Sequence, residues 1–455
     1  MWLLPVLSRL SSLAVRTFYR LEAAGGRVPL HGPVLLVANH PNSLMDPALV
    51  AAVARRPVRF LAKAPLFGDR QVGWMVRGAG AIPVYRASDD PAEMGANEDS
   101  FRAAHGALAE GAAVGIFPEG LSHSEPSLAP LRTGAARIAL GAAGRLGRAF
   151  PIVPVGLVFR GKERFRSDAL AVIGEPVEWD DLCDRGTGDV DAVRELTRRI
   201  DRRLREVTVN LERWEDAPLV ETAEEIYAAE WEMDADPADR VERLREATEG
   251  LARLRGENLG EWREIAREVS RHGRLLDAVG LRPADLREVP RLHAAVRWTV
   301  RQLAFFLVAT PLAVAGTAVY FLPYRLTGIL EARARPSHDV RATYKLLVGA
   351  VVHLVWTVGL ALATGALLGG WAGVAVLAVL PLLGLLAVAV HNRWEEAVDD
   401  ARRFLLLRGR GGDLLPELRL RQRRIAERLE ALREELAWVS GGSSGGGGYP
   451  PPPPE

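Results

Sequence analysis

Charged residues are absent from two long apolar stretches of the chain. Residues 302–324 contain none, and residues 346–390 contain none apart from His353, which is formally neutral. A bilayer crossing takes roughly 20 apolar residues, and helices of soluble proteins rarely run this long without a charge. A glycine-rich interruption divides the second stretch, so 346–368 and 372–390 are predicted to be two spanning helices joined by a tight turn.

The placement of the first apolar stretch depends on the charge of the segment that follows it. Its charged residues are five basic side chains and two acids: Arg325, Arg333, Arg335, Arg341 and Lys345 against Glu331 and Asp339. Basic short loops stay on the cytoplasmic side, so this segment is expected inside, as is the basic region after Val390. We therefore predict that 302–324, broken by Pro311 and ending at Pro323, is re-entrant or interfacial. The alternative is a third spanning helix whose basic loop is translocated.

The N-terminal segment 1–25 is apolar but differs from a secretory signal. Its arginines are distributed along it, whereas a signal carries its positive charge before an unbroken apolar run. The apolar residues recur at helical spacing, at Leu3, Leu7, Leu10, Ala14 and Leu21. This pattern predicts an amphipathic helix on the membrane surface or, equally, a helix packed on the core of its own domain.

Between residues 33 and 177 short β-like runs alternate with helical patterns. The runs lie at 33–38, 58–62, 113–117, 152–158 and 169–173. Such alternation indicates an α/β layer with a largely buried sheet. Charged helical patterns follow this layer and recur after the apolar block, where they are typical of solvated helix faces. The terminal run GGSSGGGGYPPPPPE is of low complexity and predicts disorder.

Composition excludes several classes of function without identifying one. The 455 residues include 58 Lys and Arg against 57 Asp and Glu, which leaves a formal net charge of +1. The arginines alternate with acids instead of forming one basic face, so a nucleic-acid partner is not expected. The single cysteine, Cys183, has no partner for an intramolecular disulfide and cannot supply a thiolate metal cluster, and no metal site is expected.

Four short segments of the α/β region carry polar or otherwise distinctive residues at strand ends. The first is N-H-P-N-S-L-M-D at 39–46, in which Asp46 can orient His40 as a general base. The others are G-A-I-P-V-Y-R at 80–86, F-P-E-G at 117–120 and I-V-P-V-G at 152–156. Taken singly, each has an ordinary structural interpretation, such as a histidine at a strand end or a surface arginine. Their joint occurrence in this order indicates one shared site.

Together the four segments resemble the four blocks of the glycerolipid acyltransferase superfamily. Those blocks are an N-H motif ending in Asp, a G-x-(I/F)-x-x-x-R segment, F-P-E-G and a strand with a central proline. All four are matched within 39–156. The usual motif has four residues between His and Asp, whereas five separate His40 and Asp46.

That spacing and several further motifs narrow the resemblance. The additional motifs are S-H at 122–123, P-S-L-A-P-L-R-T-G at 126–134, R-F-R-S at 164–167 and G-E-P-V at 174–177. This set resembles the fungal-type glycerol-3-phosphate and dihydroxyacetone-phosphate acyltransferases and their bacterial relatives. Those relatives also carry C-terminal membrane segments, as this chain is predicted to do.

The resemblance implies a general-base reaction. His40 takes the proton of an acceptor hydroxyl while that oxygen attacks an acyl thioester, and Asp46 orients the ring. No bound cofactor is implied, and the co-substrate is acyl-CoA or acyl carrier protein. No acyl-enzyme is required either, because neither Ser43 nor Ser122 lies in a G-x-S-x-G elbow.

The resemblance also assigns substrate-binding roles. Arg86 binds the phosphate of the acceptor, a task suited to a guanidinium group. Glu119 with Gly120 positions the glycerol backbone, and backbone N–H groups near Gly120 stabilise the oxyanion of the tetrahedral intermediate. Ser122 and Arg132 are further candidates for contact with the substrate.

The expected fold class is α/β: an acyltransferase layer of mixed sheet flanked by helices, then an α-helical region and a C-terminal membrane-embedded helical segment. The predicted boundaries are 1–25 for the surface helix, 26–180 for the acyltransferase domain, 181–300 for the charged helical region, 301–392 for the membrane segments, 393–440 for cytosolic helices and 441–455 for a disordered tail.

The predicted function is transfer of a fatty acyl group to a glycerol-3-phosphate-type acceptor in phospholipid biosynthesis. The nearest alternative is a 1-acylglycerol-3-phosphate acyltransferase that makes phosphatidic acid, and a more distant one is a non-enzymatic membrane scaffold. The expected partners are the phospholipid bilayer, the glycerol phosphate or lysophospholipid acceptor and the acyl thioester. The expected location is the bacterial inner membrane, with the catalytic domain on its cytoplasmic face.

Overall fold

The structure is a computed structural model that describes residues 4–70, 73–85, 97–233, 236–287, 292–335, 341–408 and 415–441. Its strands are β1 (Tyr19–Gly25), β2 (Val34–Ala38), β3 (Val58–Lys63), β4 (Ile82–Val84), β5 (Ala113–Ile116), β6 (Ile152–Phe159) and β7 (Ser167–Ile173). Its helices are α1 (Leu4–Phe18), α2 (Met45–Ala54), α3 (Pro65–Gly68), α4 (Gly73–Gly78), α5 (Asn97–Ala109), α6 (Gly134–Leu146), α7 (Val190–Glu206), α8 (Ala217–Glu230), α9 (Pro237–Glu257), α10 (Leu259–Val279), α11 (Leu292–Ala334), α12 (Arg341–Leu368), α13 (Gly370–Arg408) and α14 (Leu415–Gly441).

The seven strands form one mixed sheet in the order β1-β7-β6-β2-β5-β3-β4. All neighbouring pairs are parallel except β6 and β7, which run antiparallel. The carboxyl ends of β2 to β6 therefore lie at the same edge as the amino ends of β1 and β7. Any residues that follow the first set of strands or precede the second set meet at this edge.

Alternate residues of the central strands supply two hydrophobic cores, one on each face of the sheet. Leu35 and Val37 of β2 pack with buried residues of α5, α6 and α7. Val34 and Leu36 face the opposite side and pack with α1 and α2. A sheet covered by helices on both faces explains why β2 is apolar throughout its length. The predicted fold class, a mixed α/β sheet flanked by helices, is confirmed.

The strand prediction was correct for five strands and missed two. β1 was absent from it, because 1–25 was interpreted as one helix, and β4 was not predicted as a strand. The helix ends at Phe18, and Tyr19–Gly25 pairs along its whole length with β7. The described part of α1 packs on the core of its own domain, since Val15 and Phe18 are buried. Its Val6, Leu10 and Leu13 are exposed, and the predicted position on a membrane surface stays a prediction.

The boundary predicted at residue 180 is also wrong as a limit of the α/β core. Helix α7 lies in the segment interpreted as charged and solvated, yet its Ala192, Val193, Leu196 and Ile200 are buried in the core on one face of the sheet. These residues recur every three or four positions, so they occupy one stripe of the helix while its arginines occupy the other. Contacts divide the chain into two compact units, of which the first comprises 1–210, 236–241 and 306–391.

The second unit comprises 211–235, 242–305 and 392–455. Its helices are tied by charged pairs and by buried leucines. Arg243 of α9 donates to the buried Glu224 of α8 at 2.9 Å, and Arg255 forms two hydrogen bonds with Asp216. The predicted tail at 441–455 lies outside the described residues except for Gly441, where α14 ends.

Within the ranges that the structure describes, three helices are long and apolar enough to cross a membrane: Ala295–Ala334, Thr343–Leu368 and Gly370–Leu407. The break predicted at Pro311 and the end predicted at Pro323 are both wrong, because α11 continues through the two prolines for 43 residues. In an apolar environment, neighbouring groups can satisfy the backbone that a proline leaves unpaired. The hairpin turn between α12 and α13 falls at Gly369, whose φ of +98° is a conformation that favours glycine.

Candidate active site

The site is built at the edge where β2 ends, and its central pair is His40 and Asp46. Asp46 lies in the first turn of α2, and its Oδ2 is 2.8 Å from Nδ1 of His40. The loop between β2 and α2 accommodates the five intervening residues with Ser43 in the left-handed region, at a φ of 50°. The longer spacing therefore preserves contact between the histidine and the carboxylate.

The Asp46 carboxylate is fully buried and receives two hydrogen bonds at one oxygen. Besides His40, the backbone N–H of Asn42 donates to Oδ2 at 2.7 Å. Burial raises the pKa of Asp46, because an ionised carboxylate loses its hydration there, and the hydrogen bonds from His40 and Asn42 oppose that rise. Since an ionised carboxylate only accepts hydrogen bonds, Nδ1 of His40 is the donor.

The ring of His40 is held in a fixed plane by aromatic stacking. Its centroid lies 4.0 Å from that of Phe117, with 11° between the planes, and Phe60 stacks against Phe117 at 5.9 Å. Because Nδ1 donates to Asp46, the other nitrogen, Nε2, carries the lone pair. Nε2 forms no hydrogen bond with any residue that the structure describes, so it is the atom available to take a proton from a substrate.

Glu119 of the F-P-E-G segment connects three parts of the site. Its Oε1 accepts from the backbone N–H of His40 at 2.8 Å, and its Oε2 accepts from the backbone N–H of Ala129 at 2.8 Å. The ring Nε2 of His123 also bonds to Oε2. Glu119 has 2% of its surface exposed, and its carboxylate bonds to three groups of the protein. The predicted contact of Glu119 with the glycerol backbone stays a prediction.

Ser122 and His123 tie the turn after β5 to the loop of the histidine. The hydroxyl of Ser122 accepts from the backbone N–H of Ser43 at 3.0 Å. The backbone N–H of His123 donates to the carbonyl of His40 at 3.2 Å. These cross-links make Ser122 a structural neighbour of the pair, and its predicted contact with a substrate is not tested by them.

Gly120 and Arg132 lie together beside the turn. Gly120 has a φ of +79°, and a Cβ at this position would lie 3.4 Å from Cγ of Arg132. The N–H of Gly120 donates to the carbonyl of Phe117 at 3.0 Å, so it is engaged within the turn. Within the described part of the chain, the N–H groups of Leu121 and Ser122 have no acceptor, and they are the donors nearest to Gly120 for an oxyanion.

The structure brings six of the seven predicted residues to this edge, and the seventh, Arg86, lies outside the described residues. The six are His40, Asp46, Glu119, Gly120, Ser122 and Arg132. Sequence reasoning missed three further members: Lys162, Tyr19 and Asn42. The Nζ of Lys162 donates to the carbonyl of Pro41 at 3.1 Å and also bonds to the hydroxyl of Ser124.

Tyr19 and Asn42 complete the buried network behind the pair. The side-chain N–H₂ of Asn42 donates to the hydroxyl of Tyr19 at 2.8 Å, and Tyr19 donates in turn to the carbonyl of Lys162. Burial raises the pKa of Tyr19, which keeps its hydroxyl protonated as a donor. Asn42 lies within the 39–46 motif and was detectable there, whereas Tyr19 lies in the unpredicted β1.

Comparisons with known proteins match the segment that contains this site. The family model named Acyltransferase matches residues 20–158. Glycerol-3-phosphate O-acyltransferase 1 of Saccharomyces cerevisiae is 26% identical over 273 residues, which cover 55% of this chain and 36% of that protein. The 1-acyl-sn-glycerol-3-phosphate acyltransferase of Bacillus subtilis is 33% identical over 129 residues, covering 28% of this chain and 57% of that protein.

A solved structure is also similar. The 1-acyl-sn-glycerophosphate acyltransferase PlsC from Thermotoga maritima aligns with a TM-score of 0.33 and 18% identity, over 45% of this chain and 78% of that one. The chain thus spans about a third of the length of the yeast relatives it matches. On the match of residues 20–158, which contains the histidine–aspartate pair and the F-P-E-G turn, the chain carries a domain of the Acyltransferase family.

Proposed function

We propose that this protein transfers a fatty acyl group from acyl-CoA or acyl carrier protein to the hydroxyl of a glycerol-3-phosphate-type acceptor. The observation that carries the proposal is the oriented pair at the end of β2, in which a buried carboxylate holds Nδ1 of His40 at 2.8 Å. This arrangement leaves Nε2 as a base at the sheet edge. The names of the yeast relatives support the acceptor.

The reaction needs one proton acceptor that later becomes a donor. Nε2 of His40 takes the proton as the acceptor oxygen attacks the thioester carbonyl, and the negative charge moves to the carbonyl oxygen. Asp46 stabilises the imidazolium that forms. The intermediate then collapses, the carbon–sulfur bond breaks, and the thiolate takes the proton from Nε2. The ester and the free thiol are the products, and the histidine is neutral again.

The polar groups beside the F-P-E-G turn support the binding of a phosphorylated acceptor. Arg132 lies beside Gly120 and supplies a guanidinium group near the turn. Arg86, which lies outside the described residues and follows the end of β4 by two positions in the sequence, is proposed as the principal phosphate ligand. The N–H groups of Leu121 and Ser122 are proposed as donors to the oxyanion.

A second acceptor, 1-acylglycerol-3-phosphate, is favoured by the higher identity of the Bacillus subtilis relative, whose name states that substrate. The same histidine would serve either acceptor, since both offer a hydroxyl group beside a phosphate. A non-enzymatic scaffold gains no support, because two buried carboxylates hold one histidine. Asp46 bonds to the ring of His40, and Glu119 accepts from its backbone N–H.

The apolar helices support attachment to a membrane, where both the acyl chain and the product reside. We propose that the α12–α13 hairpin is inserted and that the acyltransferase domain lies on the cytoplasmic face of a bacterial inner membrane. The start of α12 contacts that domain, because Arg341 bonds to Glu163 at 2.6 Å, which supports a cytoplasmic position for the basic segment before it.

The proposal is tested with purified protein in lipid nanodiscs, labelled acyl-CoA and each acceptor in turn. His40→Ala is expected to lower kcat roughly 10²- to 10⁴-fold. The exposed His31 provides the matched control, and His31→Ala is expected to retain full activity. Equal turnover by wild type and His40→Ala would exclude the general base, and absence of transfer to either acceptor would exclude the proposed reaction.

A further inference from the structure

The loop between β6 and β7, residues 160–166, contacts the active site on one side and a predicted membrane helix on the other. Two neighbouring residues divide these contacts between them. Lys162 bonds to the loops of the catalytic pair, and Glu163 bonds to the first residues of α12. No motif of the 39–156 blocks includes either residue.

On the side of the active site, the ammonium group and the backbone carbonyl of Lys162 both form hydrogen bonds. Its Nζ donates to the carbonyl of Pro41, the residue after His40, and to the hydroxyl of Ser124. Its carbonyl accepts from the hydroxyl of Tyr19 and from Asn42 at 3.4 Å. Lys162 therefore holds the segment between the histidine and the aspartate by its side chain and by its backbone.

The ammonium group also acts on the pair through its charge. It is one of the groups that lower the pKa of Asp46 and oppose the effect of burial, although the hydrogen bonds from His40 and Asn42 have larger effects. A cation a few ångströms from a carboxylate favours the ionised form. An ionised Asp46 is the form that stabilises a histidine cation during the reaction.

On the side of the membrane helix, Glu163 meets two basic residues. Nη1 of Arg341 donates to Oε2 of Glu163 at 2.6 Å, and Nζ of Lys345 donates to its carbonyl at 3.3 Å. Leu346, the next residue of α12, packs against the hydrophobic core that also contains Met45 of α2. The beginning of α12 is thus attached to the same layer that carries Asp46.

The loop is held between these two contacts by further bonds. The backbone N–H of Arg166 donates to the carbonyl of Phe18, and Phe165 packs edge-on against the ring of Phe18 at 5.6 Å. The hydroxyl of Ser167 donates to the carbonyl of Gly161 at 2.6 Å. A loop fixed in this way passes a displacement from one end to the other instead of absorbing it.

We propose that Lys162 and Glu163 are positioning residues that link the start of α12 to the catalytic pair. Lys162 fixes the loop between His40 and Asp46 and places a positive charge beside it, and Glu163 attaches that loop to Arg341. Docking of the membrane helix thereby sets the geometry of the base. This inference rests on the proposed acyl transfer for its activity readout.

The first test removes the charge of Lys162. Lys162→Met is expected to lower kcat about 10-fold and to move the acid limb of the kcat/KM profile to higher pH, because Asp46 takes up a proton more readily without the neighbouring cation. Lys162→Arg keeps the charge and is expected to retain the wild-type acid limb. Arg148→Met, which removes an exposed cation of the same domain, is expected to change neither quantity.

An acid limb that stays in place in Lys162→Met would overturn the role of its charge, even if kcat fell. A shift of equal size in Arg148→Met would overturn it as well, since any cation of the domain would then suffice. A merely structural role of Lys162 predicts lower kcat in both Lys162 variants with no shift in either.

The second test is a double-mutant cycle between Glu163 and Arg341. Each of Glu163→Gln and Arg341→Gln is expected to lower kcat several-fold, and the double variant is expected to match the single variants because both remove the same link. Losses that multiply would show that the residues act independently and would overturn the link. Glu331→Gln tests the other partner of Arg341, at 3.4 Å, and Glu110→Gln is the exposed control.

A measurement that does not need turnover separates this inference from the proposed function. The rate of carbethoxylation of His40 is followed against pH by mass spectrometry, with His31 resolved by fragment ions of the same peptide. The pH midpoint of this reaction is expected to differ from that of wild type in Lys162→Met and to stay unchanged in Lys162→Arg. If wild-type protein transfers no acyl group, the proposed reaction is excluded but the positioning role is not. If the midpoint is the same in Lys162→Met and wild type, the positioning role is excluded but the proposed reaction is not.

Discussion

The backbone N–H of His40 donates to the side chain of Glu119 at 2.8 Å, so the N-H-P-N-S-L-M-D and F-P-E-G motifs are joined through the main chain of His40. Glu119 lies 79 residues further along the chain, after β5, which is the parallel neighbour of β2. The same carboxylate accepts from Ala129 and His123. One buried acid thus fixes the backbone from which the His40 ring projects.

Replacing this acid by its amide tests that role. Glu119→Gln puts an N–H₂ group where a carboxylate oxygen now accepts, so at least one of the three donors loses its acceptor. A buried group left unpaired costs about 1–3 kcal/mol, and the melting temperature is expected to fall together with kcat. Differential scanning fluorimetry measures the first effect. Glu125→Gln is the control, because only the backbone of Glu125 contacts His123; an unchanged melting temperature in Glu119→Gln would contradict the role.

Asp46→Asn is expected to separate activity from stability. The amide oxygen can still accept from His40 and Asn42, but it carries no charge to stabilise the imidazolium, so kcat is expected to fall on the order of 10²- to 10⁴-fold. Burial raises the pKa of Asp46 in the folded protein, so its contribution to stability is present at low pH and is lost as pH rises through that pKa.

Asp46→Asn has no ionisable side chain at this position, so the variant does not bear the free-energy cost of burying an ionised carboxylate. Its melting temperature relative to wild type is therefore expected to increase from acidic to alkaline pH. Melting curves recorded at several pH values check the sign. A variant that loses stability relative to wild type as pH rises would show that ionised Asp46 stabilises the fold.

Phe117→Leu removes the ring that stacks on His40 at 4.0 Å. Leucine fills much of the same space but offers no flat surface, so the imidazole samples other orientations and kcat is expected to fall about 10-fold with little change in KM. Phe101→Leu is the matched control, since Phe101 packs on the core of the other face of the sheet. Equal activity in both variants would show that the stacking does not orient the base.

Two glycines with the same backbone conformation separate strain from function. Gly120 and Gly147 have φ values of +79° and +66°, and alanine in either place is expected to cost about 1–2 kcal/mol. Only Gly120→Ala puts a methyl group 3.4 Å from Arg132, whereas nothing lies within 4 Å of a Cβ at Gly147. Both variants are therefore expected to melt earlier, and only Gly120→Ala to lose activity. Comparable kcat values in Gly120→Ala and Gly147→Ala would show that Gly120 and its turn do not contribute to activity.

The parts of this structure that could be predicted are those encoded over short distances. His40 and Asp46 are six positions apart on one strand-to-helix loop, so their contact could be expected from the motif. Lys162 could not be predicted, because it reaches Pro41 only through the pairing of β6 with β2, 121 residues away. Tyr19 could not be predicted either, since β1 follows α1 without a helix-breaking residue and its site depends on the antiparallel β7.

Sequence reasoning missed the buried face of α7 and the continuity of α11, for different reasons. Charge dominates the composition of α7, although the spacing of Ala192, Leu196 and Ile200 marks a buried stripe. The prolines of α11 are helix breakers in water, but an apolar helix whose neighbours satisfy the freed carbonyls can retain them. The buried stripe of α7 was therefore readable from local spacing, whereas the continuity of α11 depends on groups outside the helix.

The placement of α11 follows from two facts that compete. Its residues 302–324 carry no charge and many of them are exposed, which is typical of a span. Its end, however, is followed by α12, whose Arg341 contacts the acyltransferase domain through Glu163. Basic flanking segments stay on the cytoplasmic side, and arginines flank the uncharged stretch at both ends, with Arg297 before it and Arg333 after it. Both ends of α11 are therefore expected on the side of the acyltransferase domain, and α11 is expected not to span.

Single cysteines introduced in a Cys183→Ser background test this topology with an impermeant maleimide on sealed vesicles. Arg297→Cys and Arg333→Cys mark the two ends of α11, Trp371→Cys marks the exposed turn of the hairpin, and Glu110→Cys reports the side of the acyltransferase domain. The first two are expected to be labelled on the same side as Glu110→Cys, and Trp371→Cys on the opposite side. Labelling of Arg297→Cys and Arg333→Cys from different sides would establish α11 as a span and would be incompatible with the bond between Arg341 and Glu163.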